Sequence, residues 1–268
     1  MRLFFALTFI FSYVSTHCQE DVEINRILDS IVREADILYN YEKSIWQASD
    51  HLRTKKDLAQ RTGMYVVYHQ EDTIKVVFAE NEKNVFATYD FVRNSYHIPP
   101  KVDYVERDVT SIEKEMISAK NNFIATVNSN IATYEISFFD NYSPNLVQTI
   151  TENGFNMYII MGTSLNDVIP IGGDMLFELD KEGNILKWKK FHKTLIPAKT
   201  KFEDDKILIS IVHSHLPMTP YISATDICTF RLYGKDLFDL NEIQVLSTAL
   251  NMIFTYNAET DKVTFEKK

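Results

Sequence analysis

The chain is poor in cysteine: of 268 residues, only Cys18 and Cys228 carry a thiol. Glycine and proline are scarce too, seven of each, and Gly63 is the only glycine before residue 150. A disulfide framework is therefore excluded as the source of stability, which must come from a buried apolar core, and a chain of this length can build one. No run of about 20 consecutive apolar residues occurs, so no transmembrane span is expected. Basic residues are in deficit, 28 Lys and Arg against 37 Asp and Glu, for a formal charge of −9. Nucleic-acid binding needs basic surfaces facing phosphates, and this balance opposes it. Neither an internal repeat nor a low-complexity segment is present.

What is there begins with a leader. Arg2 precedes an apolar stretch, Leu3 to Phe11, and small or polar residues close it at Ser12-Tyr13-Val14-Ser15-Thr16-His17-Cys18. That order predicts a signal peptide over residues 1–18, cleaved before Gln19, and a secreted, periplasmic or envelope destination. Lipidation at Cys18 is the less favoured alternative, since Thr16 and His17 are poor residues ahead of a lipidation cysteine. Cleavage would remove Arg2 and no acid, leaving Cys228 as the single thiol.

The rest reads as an α+β chain. Ile24, Leu28, Ile31, Ala35, Leu38 and Ile45 recur every three or four residues, predicting one long helix over residues 21–52, with Glu42 interrupting its stripe. A strand at Met64–Tyr68, a polar turn at Glu71-Asp72 and a strand from Thr73 to Phe78 predict a hairpin, and Val85–Tyr89 extends the antiparallel meander. Thr110 to Glu113 is a capping-box pattern opening a helix to about residue 122. Strands follow at 157–161, at 175–179 and 185–189 around a turn, and at 207–212. A helix over 224–233 is expected to stop at Gly234, before a last hairpin at 252–256 and 262–265. Two bodies, 19–110 and 111–268, are one division; a single unit is the other.

The segment from His213 to Asp226 carries the chemistry. Alternation at a strand end puts His213 and His215 on one side, where two imidazoles can chelate one metal ion. Asp226, in the first turn of the next helix, can return as a third ligand. Three protein ligands and one open position form the arrangement of a catalytic zinc site, at which water is acidified. Ser223 at the helix start can donate to a developing oxyanion. The bland alternatives are a capping box at Ser223–Asp226 and imidazoles that merely satisfy hydrogen bonds. His192 reads as a surface histidine beside lysines, a further ligand being the sharper possibility. Gly172-Gly173-Asp174 reads as a tight turn before a strand, and Cys228 as a buried, inert thiol.

The pattern His-x-His, seven residues, Ser-x-x-Asp resembles the motif of the JAMM (JAB1/MPN/Mov34) metalloproteases, over roughly residues 150 to 265. The resemblance implies a mixed sheet with a helix like that family's core, with zinc on His213, His215 and Asp226 and a catalytic role for Ser223. It also implies a peptide or protein substrate, cut at an amide or isopeptide bond. Two departures stand out. Leu216 separates His215 from Pro217, where the family has proline directly after the second histidine. The family's catalytic glutamate has no counterpart in the matching position, held here by Phe155 and Asn156; Glu152, slightly upstream, is the nearest candidate base, and Glu178, on a later strand, is the other. The rival expectation is a non-catalytic secreted or envelope binding protein in which the same segment is structural.

Overall fold

The computed structural model describes residues 3–268 except residues 62, 81 and 202–206, with side chains from Gln19 onward. The side chains of residues 1–18, over which a signal peptide was expected, lie outside the described ones, Cys18 included. Helix α1 (Leu3–Arg53) contains the predicted helix whole. Its inward stripe, including Ile24, Leu28, Ala35, Leu38, Ile45, Ala48 and Leu52, is buried. A short α2 (Lys56–Ala59) follows.

The first sheet is the expected meander, β1 (Met64–Gln70), β2 (Thr73–Ala79) and β3 (Asn84–Val92), with β4 (Lys101–Asp103) and β5 (Arg107–Asp108) both paired to β3. Gln70 pairs with Thr73, so Glu71 and Asp72 make a two-residue turn. Helix α3 (Ser111–Ser129) carries the predicted capping box, and its apolar face extends the helix about two turns beyond expectation, through buried Phe123 and Val127.

A second antiparallel sheet has the order β10-β9-β7-β6, from β6 (Tyr142–Ile150), β7 (Gly154–Thr163), β9 (Met175–Asp180) and β10 (Ile185–Lys190). Between these strands, β8 (Val168–Gly172) pairs with β11 (Leu195–Lys199) as a two-stranded ribbon. The last sheet is mixed: β12 (Ile211–His215) runs parallel to β13 (Glu242–Ser247), and β14 (Met252–Asn257) and β15 (Lys262–Lys267) complete an antiparallel meander. The fold class is α+β, as expected. Among the described residues, no helix is long and apolar enough to cross a membrane.

Two boundaries differ from expectation. The strand predicted at 207–212 lies instead at Ile211–His215, so the two histidines sit within it; Ile207 and Ile209 are exposed. Second, Gly234 does not stop the helix. Helix α4 (Ala224–Thr229) widens into a π turn (Phe230–Lys235) and runs on into α5 (Asp236–Phe238). A Cβ at Gly234 would lie 2.6 Å from the Phe230 ring, so this glycine makes room for packing rather than ending the helix. Helix α4 packs on α1, and the larger apolar cluster draws on α1, the first sheet and the last sheet together.

Candidate metal centre

The pleat of β12 buries Ile211, His213 and His215 and exposes Val212 and Ser214. Both imidazoles therefore enter the protein from the same strand face, as alternation requires. Asp226 arrives from the first turn of α4. Its backbone N–H donates to Ser223 Oγ at 3.0 Å, and its Oδ2 accepts from the Ser223 N–H at 2.8 Å and the Ser223 hydroxyl at 2.7 Å. This capping box holds the carboxylate by one oxygen and turns the other, Oδ1, inward.

The fourth member is His192, on the loop between β10 and β11. It is buried, contrary to the expectation of a surface histidine, because Phe191 and His192 turn inward while Lys189 and Lys193 remain in solvent. Gly172 and Gly173, both at positive φ, form the turn that brings Asp174 beneath it. A Cβ on Gly172 would lie 2.5 Å from the Thr194 carbonyl oxygen and 3.2 Å from His192 Cβ, so only glycine lets the two loops meet. His192 Nδ1 is 2.6 Å from Asp174 Oδ1, and the Thr225 hydroxyl donates to the other Asp174 oxygen. His215 Nδ1 faces two carbonyls, Tyr221 at 2.7 Å and Thr219 at 3.0 Å.

Those outer partners fix the tautomers. Carboxylate and carbonyl oxygens only accept, so in the neutral rings the Nδ1 atoms of His192 and His215 carry the protons, which leaves their Nε2 lone pairs for a metal ion or a further proton. These lone pairs converge. His192 Nε2 lies 2.9 Å from His215 Nε2, and His213 Nε2 lies 3.2 Å from each. Asp226 Oδ1 is 3.2 Å from the Nε2 atoms of His192 and His213, and Oδ2 is 3.2 Å from that of His215. Asp226 Oδ1 and His213 Nδ1 have no other hydrogen-bond partner among the described residues, and with all three Nε2 atoms bare these approaches are acceptor against acceptor. Such an arrangement is repulsive unless a cation sits between the atoms.

The size of the gap is informative. Five of the six edges joining the three Nε2 atoms and Asp226 Oδ1 measure 2.9–3.2 Å, and a regular tetrahedron of that size has its centre about 1.9 Å from each vertex, close to the 2.0–2.1 Å of zinc–imidazole bonds. One proton could relieve one lone pair; a divalent ion relieves all four and balances the two carboxylates, Asp226 and Asp174. The electrostatics point the same way. Burial disfavours a charged His192, yet Asp174 and Asp226 outweigh it and push the ring up to about 11. Burial likewise works against the Asp226 anion, but His192 and His213 hold it well below the ordinary carboxylate value. The pocket is built to hold positive charge. Three histidines and one aspartate, all buried, can thus hold a metal.

The other expected residues fall elsewhere. Ser223 is buried with its hydroxyl committed to Asp226 and Thr225. Glu152 lies in the exposed turn between β6 and β7. On β9, Asp180 pairs with Gly154 and Met175 with Ile159, so Glu152 and Asp174 sit at opposite ends of the β7–β9 ladder, on the order of 17 Å apart at strand spacing. Glu178 pairs with Lys187 at 3.4 Å and is not part of the cluster. Cys228 is fully buried, and burial pushes its thiol well above the usual range. A cleft of about 540 Å³, walled by Trp188, Phe191, Ile196 and Leu216, reaches His192 and His215 from outside.

No family model, curated protein or solved structure matches this chain.

Proposed function

We propose that the chain is a zinc protein with a closed, four-coordinate site made by His192, His213, His215 and Asp226. In this reading the ion fastens the β10–β11 loop, β12 and α4 together within a secreted or envelope binding protein. The observation that carries it is His192 Nε2 at the fourth vertex, with Asp174 holding the ring from behind. Structural zinc sites use four protein ligands, whereas catalytic ones keep a position open. The carboxylate–histidine contact is the usual outer support of a metal-bound imidazole. Zinc suits three imidazoles and a carboxylate in tetrahedral array and brings no redox chemistry.

A JAMM-like hydrolase is the second reading, favoured by the cleft that reaches His192 and His215. It requires His192 to swing out and leave the metal a place for a peptide or isopeptide substrate. Zinc would then act as a Lewis acid, Ser223 would have to release Asp226 to serve an oxyanion, and a base such as Glu152 would have to approach. Export through the Met1–Cys18 leader is part of both readings, and an N-terminus at Gln19 in the mature protein is its check.

Metal analysis of protein purified without chelator tests the site. About one zinc per chain, lost in His213→Ala/His215→Ala, is expected; no zinc after supply at neutral pH defeats both readings. Cobalt substitution separates them. Intense tetrahedral bands indifferent to azide support the closed site, and azide-sensitive bands accompanied by peptide cleavage support the hydrolase.

A further inference from the structure

Away from the metal cluster, a second cleft of about 670 Å³ opens between α1, β6 and the π turn, a volume within the usual range for small-molecule sites. At its floor is Glu42, the residue that breaks the apolar stripe of α1 between Leu38 and Ile45. Its side chain is buried, with 1 % of the residue exposed. Glu42 Oε2 accepts from the Trp46 indole at 3.1 Å and the Asn145 amide at 2.9 Å. Its other oxygen, Oε1, takes no hydrogen bond from any described residue. A buried carboxylate costs stability unless its lone pairs are met, so this one is half provided for.

The nearest interior cation does not complete it. Lys120 donates to the Tyr65 carbonyl at 3.1 Å and lies over the Tyr65 ring at 3.6 Å. Burial raises the Glu42 carboxyl to about 7 in spite of Asn145, Trp46 and Lys120, which marks how poorly its charge is compensated. The walls above Glu42 are aromatic, with Trp46 and Tyr233 in edge contact at 5.2 Å and Tyr65 beside them. At the rim, Arg53 is paired with Asp50 at 2.9 Å, and the described residues that line the cleft include no unpaired Lys or Arg.

We propose that this cleft is a second ligand site, independent of the metal, and that it takes an organic cation: an alkylammonium group facing Glu42, its carbons against Trp46, Tyr65 and Tyr233. A carboxylate floor selects charge, and aromatic faces attract a desolvated ammonium through their quadrupoles. An anionic ligand would meet the Glu42 charge at the floor. A neutral one would gain the apolar walls without the ion pair.

The probes are three molecules of one shape, butylammonium, butanol and butyrate, titrated at pH 8 and constant ionic strength. A Trp188→Phe background leaves Trp46 as the only fluorophore of its kind among the two tryptophans. Saturable quenching by butylammonium is expected, at least about tenfold tighter than by butanol or butyrate. Glu42→Gln, which keeps acceptors for Trp46 and Asn145, should erase that preference. Ser49→Phe, filling the cleft from α1 and leaving the carboxylate in place, should block binding. The proposal is overturned if the three probes bind alike, if none saturates, or if butylammonium binds Glu42→Gln as well as the parent. Should Glu42→Gln fail to fold, Ser49→Phe decides: undiminished butylammonium binding there overturns the site.

Discussion

Helices α3 and α4 start with the same device and put it to different uses. Each opens on a capping box, Thr110 with Glu113 in one and Ser223 with Asp226 in the other. Each acid is buried, at 0 % and 1 % exposure. Around Glu113 the donors match the acceptors. Arg107 donates to both carboxylate oxygens at 2.7 Å, Tyr68 adds a hydroxyl at 2.9 Å, and the Thr110 N–H adds a fourth bond at 2.8 Å. Around Asp226 the cap satisfies one oxygen, and the other faces the Nε2 atoms of His192 and His213 with no donor from the rest of the described residues. Burial of an acid is thus not the sign of a functional site. The sign is a surplus of acceptors around one point, which only a cation from outside the chain can meet.

The contrast is broken most forcefully by chelation. Stripping the metal should cost about 5 kcal/mol or more, a large part of a typical total stability. Thermal melts with and without chelator should show the loss and its recovery on adding zinc; a melt that ignores chelator removes the contrast altogether. Next in size is Glu113→Ala, expected to cost about 3 kcal/mol by leaving Arg107 and Tyr68 without their acceptor, as urea titration would measure, with metal content unchanged. Burial opposes the Glu113 charge, but Arg107, Thr110 and Tyr68 more than compensate, and its pKa lies below the ordinary value of 4.5. Its contribution is therefore fully present above pH 4.5 and lost as the pH falls through the lower folded value. A Glu113→Gln variant should show a flatter stability profile in that acid range. Asp174→Asn should weaken metal binding about 10- to 100-fold without unfolding the chain, measured by competition with a chromophoric chelator. The smallest effect is expected for Ser223→Ala, a loss of about 1 kcal/mol from the cap with the metal retained. Wholesale metal loss in that variant would mean that the serine does more than cap.

Much of this architecture is legible in the sequence where one residue's period decides its surroundings. The α1 stripe, the Glu71-Asp72 hairpin and the His-x-His alternation all follow from local geometry. So does the position of Asp226, because a capping box and a buried strand bracket the loop between them. The losses occur where the answer depends on distant chain. His192 sits among lysines and carries no spacing relation to His213, so nothing local says that Phe191 and His192 turn inward. Its partner Asp174 looks like a turn residue, and it is one; that the turn ends under an imidazole depends on the pairing of β8 with β11. Both strands of that ribbon carry a proline, Pro170 and Pro197, which face each other across it, and proline is a poor sequence signal for a strand. Gly234 misleads in the opposite direction, reading as a stop where it serves the π turn.

The parallel pairing of β12 with β13 also sets an order of events. The strands β13, β14 and β15 are joined by short turns and can zip together by themselves. Strand β12 can add to that meander only after residues 216–241, with α4 and the π turn, have closed back as a crossover. Contacts that close long loops form slowly relative to local hairpins. His213 and His215 therefore take their places after most of the last sheet exists, and the metal pocket is assembled late on the folding path, by chain that is already compact.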